Sequence, residues 1–424
     1  MISRLEALGF RCLRYIAIGL EPFHIFVGPN ASGKSTFLDA VAFVSDILNH
    51  GTEQAILKRG QSLQELVWRR ENNQFQLVVE MRVPESITSS FSQNGKSYSH
   101  CRYEIQVGID TKGEGVRLLT ENFFLVNAPV SQRVAHESQR QLTIFPEDRQ
   151  PPSNIILGKG RQTPTGWKKV VSLGEEGRAY FRSETTEWNF PLRPGGQKAA
   201  LAMVPEEERF PVSNWAKRML SEGVQVLALN SRAMREPCRP DLPLTFRPDG
   251  SNLPLVVRNL RKHNSENFDR WLRHVQTVFP RLQGIDVIER EVDLHPYLLV
   301  EYDNGLKVPS WLLSDGTLRL LALTLLAYLP IQGQVFLIEE PENGIHPKAL
   351  EAIYQSLSSV YEGQVLCATH SPLLLGLAKP ADLLCFALTT SGATDIVRGS
   401  EHPALRAWKG EVALDTLYAA GVLG

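Results

Sequence analysis

The chain has 424 residues, 43% of them hydrophobic, with 45 basic and 46 acidic side chains and a formal net charge of −1. This length is too great for one small core and suits a large α/β domain with an insertion, and the near-zero charge excludes a global basic field for nucleic acid. Five scattered cysteines without a C-x-x-C pair argue against zinc or a disulfide framework, and an N-terminus without the build of a signal peptide completes the expectation of a cytoplasmic protein.

His24-Ile25-Phe26-Val27 predicts a buried strand, and Thr36 to Val44 predicts a helix. Between them stands Gly28-Pro29-Asn30-Ala31-Ser32-Gly33-Lys34-Ser35, a G-x-x-x-x-G-K-S pattern. Strand, glycine loop and helix form the setting in which that pattern wraps phosphates. Backbone N–H groups and the positive end of the helix dipole face the anion. Lys34 would reach the β- and γ-phosphates of ATP, and the Ser35 hydroxyl would help hold Mg²⁺. Gly28, Asn30, Gly33, Lys34, Ser35 and Thr36 are therefore the candidate nucleotide-binding residues, with ATP and Mg²⁺ as cofactors.

Farther on, Phe75–Met81 and Tyr103–Gly108 alternate apolar and polar residues and predict strands, with a loop over Ser86–Ser99 between them. Val116–Phe124 predicts a third strand of one antiparallel sheet. From Val126 to about Leu201 the composition is loop-rich, with short strands such as Lys169–Leu173. Helices are expected at Val212–Leu220 and, after an Asp249–Asn252 turn, at Leu253–Lys262. No heptad or other fixed period runs through the middle, so a long coiled coil is not expected. Tyr297–Tyr302 predicts a strand and Thr317–Leu329 a buried helix. That helix lies in the longest apolar run, which contains Arg319 and is too short to span a bilayer. Val335–Ile338 and Val365–Ala368 predict buried parallel strands joined by a helix over Lys348–Tyr361, and Leu383–Phe386 a further strand.

Three distant stretches add chemistry. Strand Val335–Ile338 ends in Glu339 and Glu340, suited respectively to a metal ion and to the attacking water. His370, after the next strand, is placed to donate to a γ-phosphate and sense it. Leu313-Ser314-Asp315-Gly316-Thr317-Leu318-Arg319 opens a helix with Ser314 and Gly316, where free N–H groups meet an anion.

Together these motifs resemble the ABC-type ATPase set, and their wording resembles the AAA-labelled bacterial ATPases related to the RecF, SMC and OLD groups. The stretches carrying the resemblance are 28–35, 313–319, 338–347 and 368–372, at both ends of the chain. The resemblance implies an α/β fold: an ABC-type P-loop head formed by both ends, with an α+β insertion. The expected divisions are 1–124, 125–285 and 286–424. It also implies ATP held between two copies, with Ser314 and Gly316 meeting the partner's nucleotide, and a homodimer or higher oligomer. Many such proteins occur in anti-phage defence beside a separate effector. Arg11 matches a basic residue that relatives use near the nucleotide, and is equally well read as a surface strand residue.

The departures are informative. Ser314-Asp315-Gly316-Thr317 replaces the transporter signature Ser-Gly-Gly-Gln, Glu339 replaces an Asp, and His346 stands where an Asp is usual. They move the expectation away from a membrane transporter. Only about fifty residues follow His370, too few for the Toprim domain of OLD nucleases, so no nuclease in the same chain is expected. Arg258, Arg261, Lys262, His263, Arg270, Arg273 and His274, with Arg232, Arg235 and Arg239, make the middle locally basic. Nucleic acid is therefore a candidate partner, with Glu266 and Asp269 interleaved against it.

Overall fold

The computed structural model describes residues 1–88, 98–109, 115–127, 145–158, 162–173, 177–186, 188–192, 198–206, 208–406 and 414–423. Most of the loop expected over Ser86–Ser99 lies outside them, as do parts of the loop-rich middle.

Two sheets and one helix between them position everything else. The larger sheet has eight strands in the order Leu13–Gly19, Ile2–Phe10, Gln74–Arg82, His100–Ile109, Val116–Val126, Trp167–Leu173, Ala179–Arg182 and Asn189–Leu192, antiparallel throughout. The second has six strands in the order Val224–Leu227, Val335–Glu339, Gln364–Ala368, Phe23–Val27, Leu383–Leu388 and Thr394–Arg398. Its first five strands are parallel and the last is antiparallel. Apolar runs without alternation, such as Val335-Phe336-Leu337-Ile338, suit strands covered on both faces.

Helix Lys34–His50 lies between the sheets and is buried nearly all round. Phe43 packs at 5.7 Å from Phe10 and 5.4 Å from Phe75 on the antiparallel sheet. Phe37 packs at 5.1 Å from Phe26 and 5.8 Å from Phe386 on the parallel sheet. One helix thus has an aromatic anchor on each layer. A second tie is Gln364, wholly buried, which bonds both backbone groups of Ile2 at 3.0 and 2.8 Å and the Glu21 carbonyl at 2.9 Å.

A second core gathers helices Leu253–His263, Ser265–Val278, Asp315–Leu325 and Leu350–Ser358 with a three-stranded sheet, Leu282–Glu289, Pro296–Tyr302 and Lys307–Pro309. Its centre is Trp271, whose indole N–H donates to Thr324 Oγ1 at 3.0 Å. Asn252 precedes the first of these helices but does not cap it. Its side chain instead closes the preceding loop, accepting from Arg247 N and donating to the carbonyls of Pro243 and Thr245.

The sheets run across the expected divisions. Strands on both sides of residue 124 share the antiparallel sheet, and Val224–Leu227, within the expected 125–285 insertion, is the edge strand of the parallel sheet. Buried acids secure this passage. Glu121 accepts from the amides of Ala200 and Leu201, and Glu184 accepts from those of Val212 and Ser213, at 2.6 to 2.8 Å.

Candidate functional site: a phosphate loop facing three strand ends

Register sets the site. Glu339 pairs with Ala368, and Ala368 with Phe26, so three neighbouring parallel strands end level. Gly28, Glu340 and His370 therefore leave the same edge of the sheet, where ligands gather in open α/β folds.

The loop can be built only with glycine at two places. A Cβ on Gly28 (φ +145°) would lie 2.1 Å from the Phe386 carbonyl oxygen, and one on Gly33 (φ +102°) 2.3 Å from Thr394 Oγ1. Thr394 in turn donates to the Ser32 carbonyl at 2.9 Å and fixes the loop's exit. Helix Lys34–His50 starts without a side-chain cap, which leaves its first amides for an anion. Ser32 Oγ is buried and has no partner among the described residues, a further donor within the loop. Lys34 is buried and folded back, its Nζ donating to the carbonyls of Gly28 and Pro29 at 2.7 Å each. Burial lowers its pKa to about 8, against the opposing pull of Glu339 and Glu340. Asn30 is exposed on the loop, and the Thr36 hydroxyl accepts from Cys12 Sγ at 3.3 Å.

Ser35 Oγ donates to Glu339 Oε2 at 2.9 Å, so the two candidate metal ligands already meet. No group of three or more His, Cys, Asp or Glu able to hold a metal occurs among the described residues. One hydroxyl and one carboxylate fit Mg²⁺, which keeps waters and takes its remaining oxygens from phosphates. The residues thus fit both ATP and Mg²⁺.

Glu340 adopts φ +49°, a left-handed conformation that costs a non-glycine residue about 1–3 kcal/mol. Its amide donates to the Ala368 carbonyl at 2.8 Å, and the Asn343 side-chain amide donates to its Oε2. A cavity of about 260 Å³ beside it is lined by Glu339, Glu340, Asn343 and Arg319. The third acid of this stretch, Glu342, accepts from Thr369 Oγ1 at 2.6 Å and from the His370 amide at 3.2 Å. It thereby ties the two strand ends together. His370 is half-buried; desolvation, then the nearby Lys34 charge, lower its pKa. Its Nδ1 lies 3.1 Å from the Tyr418 hydroxyl.

Ser314 and Gly316 are not in this cluster. Ser314 caps helix Asp315–Leu325, its Oγ accepting from Thr317 N at 3.2 Å, and is exposed. A Cβ on Gly316 would lie 2.5 Å from the Gly344 carbonyl oxygen, so this glycine lets the helix touch the loop that follows Glu340. Arg235 braces the helix start, paired with Asp315 at 2.5 Å and donating to the Leu313 carbonyl. Arg319 bonds the carbonyls of Asn343 and Leu229. These contacts tie the helix to the loop that follows strand Val335–Glu339 and to Leu229, just beyond edge strand Val224–Leu227.

Arg11 (φ +49°) occupies a hairpin tip and pairs with Asp39 at 2.9 Å, on the phosphate-loop helix. Its charge is thus committed to that helix, and no hydrogen bond or ion pair among the described residues joins it to Gly28–Ser35. The basic middle is largely neutralised. Arg258 pairs with Glu289, Arg261 with Asp286, Arg270 with Glu266 and Arg239 with Asp241. Glu342, Thr394 and Tyr418 were not singled out from sequence. Glu342 had a visible signal, a further acid beside a strand-ending pair; the other two had none.

No helix among the described residues is long and apolar enough to cross a membrane. The family model for an AAA ATPase domain matches residues 1–150, and that described as "AAA domain, putative AbiEii toxin, Type IV TA system" matches residues 214–376. No curated protein matches the sequence. An SMC head solved bound to the C-winged-helix domain of ScpA is similar in structure, with 12% identity and a TM-score of 0.52 over 93% of this chain and 96% of that one. An SMC head with an extended coiled coil, bound to the C-terminal domain of ScpA derived from Pyrococcus furiosus, gives 11% identity and a TM-score of 0.51 over 93% and 95%. AAA-type ATPase family models thus match both ends of the chain, and its fold is that of an SMC head, the ABC-type ATPase fold.

Proposed function

We propose that this protein binds ATP with Mg²⁺, hydrolyses it slowly between two copies of itself, and uses that assembly to control a separate effector. The observation that carries the reading is the division of the site. Lys34, Ser35, Glu339, Glu340 and His370 gather where three parallel strands end, whereas Ser314 and Gly316 open a helix whose contacts among the described residues run to Arg235, Leu229 and the Asn343–Gly344 loop. A head-to-tail partner would bring such a helix start to ATP held by the phosphate loop. In that arrangement Glu339 and Ser35 hold Mg²⁺, Glu340 activates water, and His370 donates to the γ-phosphate. Arg11 has no assigned contact with nucleotide in this reading.

Both SMC heads named above were solved with part of a second protein, and a toxin description accompanies one family match. These support control of an effector in bacterial anti-phage defence. A RecF-like role in DNA binding has less support, because the basic run is paired with acids.

Glu340→Gln tests the core of the proposal. The variant is expected to bind ATP normally, to lose about a hundredfold or more in turnover, and to accumulate as an ATP-dependent dimer by mass measurement. Turnover equal to wild type would remove Glu340 from the chemistry.

A further inference from the structure

Among the described residues the Glu340 carboxylate has one hydrogen-bond partner, the Asn343 side-chain amide. A cavity of about 260 Å³ opens beside it, so the carboxylate has room to turn away. Asn343 is itself exposed, in a turn closed by its own amide on the Glu340 carbonyl at 3.1 Å. A group that must hold a water in line needs firmer support than one exposed turn.

That support comes from another element. Arg319 stands one turn into helix Asp315–Leu325, the helix that Ser314 caps. Its Nη1 donates to the Asn343 carbonyl at 3.1 Å and its Nη2 to the Leu229 carbonyl at 3.3 Å. The direction of both bonds is fixed, because a guanidinium has donors only. The next bond is fixed as well. A carboxylate accepts, so the Asn343 side chain meets Glu340 with its NH₂. One planar fork thus joins the helix to the segments that follow two neighbouring parallel strands, Val224–Leu227 and Val335–Glu339. Gly316, three residues earlier on the same helix face, lies against Gly344. Helix and loop therefore meet at two successive loop residues.

We propose that Arg319 is a positioning residue: by holding the Asn343 loop against its helix, it sets the Glu340 carboxylate on the attacking water. The inference rests on the water-activating role of Glu340 given above. It makes the helix that opens at Ser314 the support of the chain's own catalytic carboxylate.

Arg319→Met keeps the apolar stem and removes the fork. The Kd for ATP should stay within about twofold, while kcat falls about tenfold or more. Asn343→Ala, at an exposed position, should lose a similar factor, and the two changes together no more than either alone. In the Glu340→Gln background neither should cost anything further, since both act through the carboxylate. The ATP-dependent dimer of Glu340→Gln should persist when Arg319→Met is added. A wild-type kcat in Arg319→Met, a loss that multiplies with that of Asn343→Ala, or a loss that remains in the Glu340→Gln background would overturn the inference. So would disappearance of the dimer, which would put Arg319 at the contact between copies instead. Failure of the Glu340 role reads differently: Glu340→Gln itself would then turn over ATP like the wild type.

Discussion

Lys34 is both the most readable residue of the sequence and one whose state the sequence does not reveal. The motif gives its role, but not that it is buried and bonded to the carbonyls of Gly28 and Pro29, with a pKa lowered to about 8. Only the charged form attracts phosphate. Raising the pH through that value removes the charge, so ATP affinity of the free protein should fall about tenfold between about pH 7 and about pH 9. Titration calorimetry at several pH values measures this. Lys34→Ala should bind weakly at every pH, and a flat profile in the wild type would contradict the low pKa. Glu339, Glu340 and His370 were legible because each stands at or just beyond the end of an apolar strand, and Lys34 because it opens the helix after a glycine loop. Thr394 and Tyr418 were not, because their contacts are with the Ser32 carbonyl, 362 residues away, and the His370 ring, 48 residues away, and no local pattern announces either.

The signature helix shows how an element can be foreseen in kind and misread in detail. Its apolar run and the Ser314 cap predict a helix, which forms over Asp315–Leu325 and ends earlier than Leu329 in a tight turn. Gly316 was read as meeting the partner's ATP, and within its own chain it admits the Gly344 carbonyl. Gly316→Ala should therefore push helix and loop apart. Because that loop also positions Asn343 against Glu340, turnover is expected to fall about tenfold or more while ATP binding by the monomer is kept. Binding and turnover measured side by side decide it, and an unchanged kcat would show that the loop yields without consequence. The antiparallel strands beyond residue 124 were harder to foresee. Trp167-Lys168-Lys169 hides their alternation, and Lys168 and Lys169 are partly covered by their stems rather than left in solvent.

As a whole, the molecule is held by contacts between the beginning and the end of the chain. Phe43, wedged between Phe10 and Phe75, anchors the phosphate-loop helix to the antiparallel layer. Phe43→Ala should destabilise the protein by about 3–5 kcal/mol in denaturant unfolding, and a loss under about 1 kcal/mol would mean that the layer repacks freely. ATP binding in dilute denaturant should be lost together with the aromatic signal, since one helix serves both. The strand order has a consequence for birth rather than for catalysis. Phe23–Val27, which carries the phosphate loop, lies between strands that begin at Gln364 and Leu383. At roughly 5–20 residues per second of synthesis, it waits tens of seconds with both edges bare before either neighbour leaves the ribosome. During that interval an apolar segment is open to mispairing, and the nascent protein has no nucleotide pocket. The phosphate-loop strand thus gains its neighbours only after the segments that begin at Gln364 and Leu383 have been made, and a chain cut before Gln364 is expected not to bind ATP.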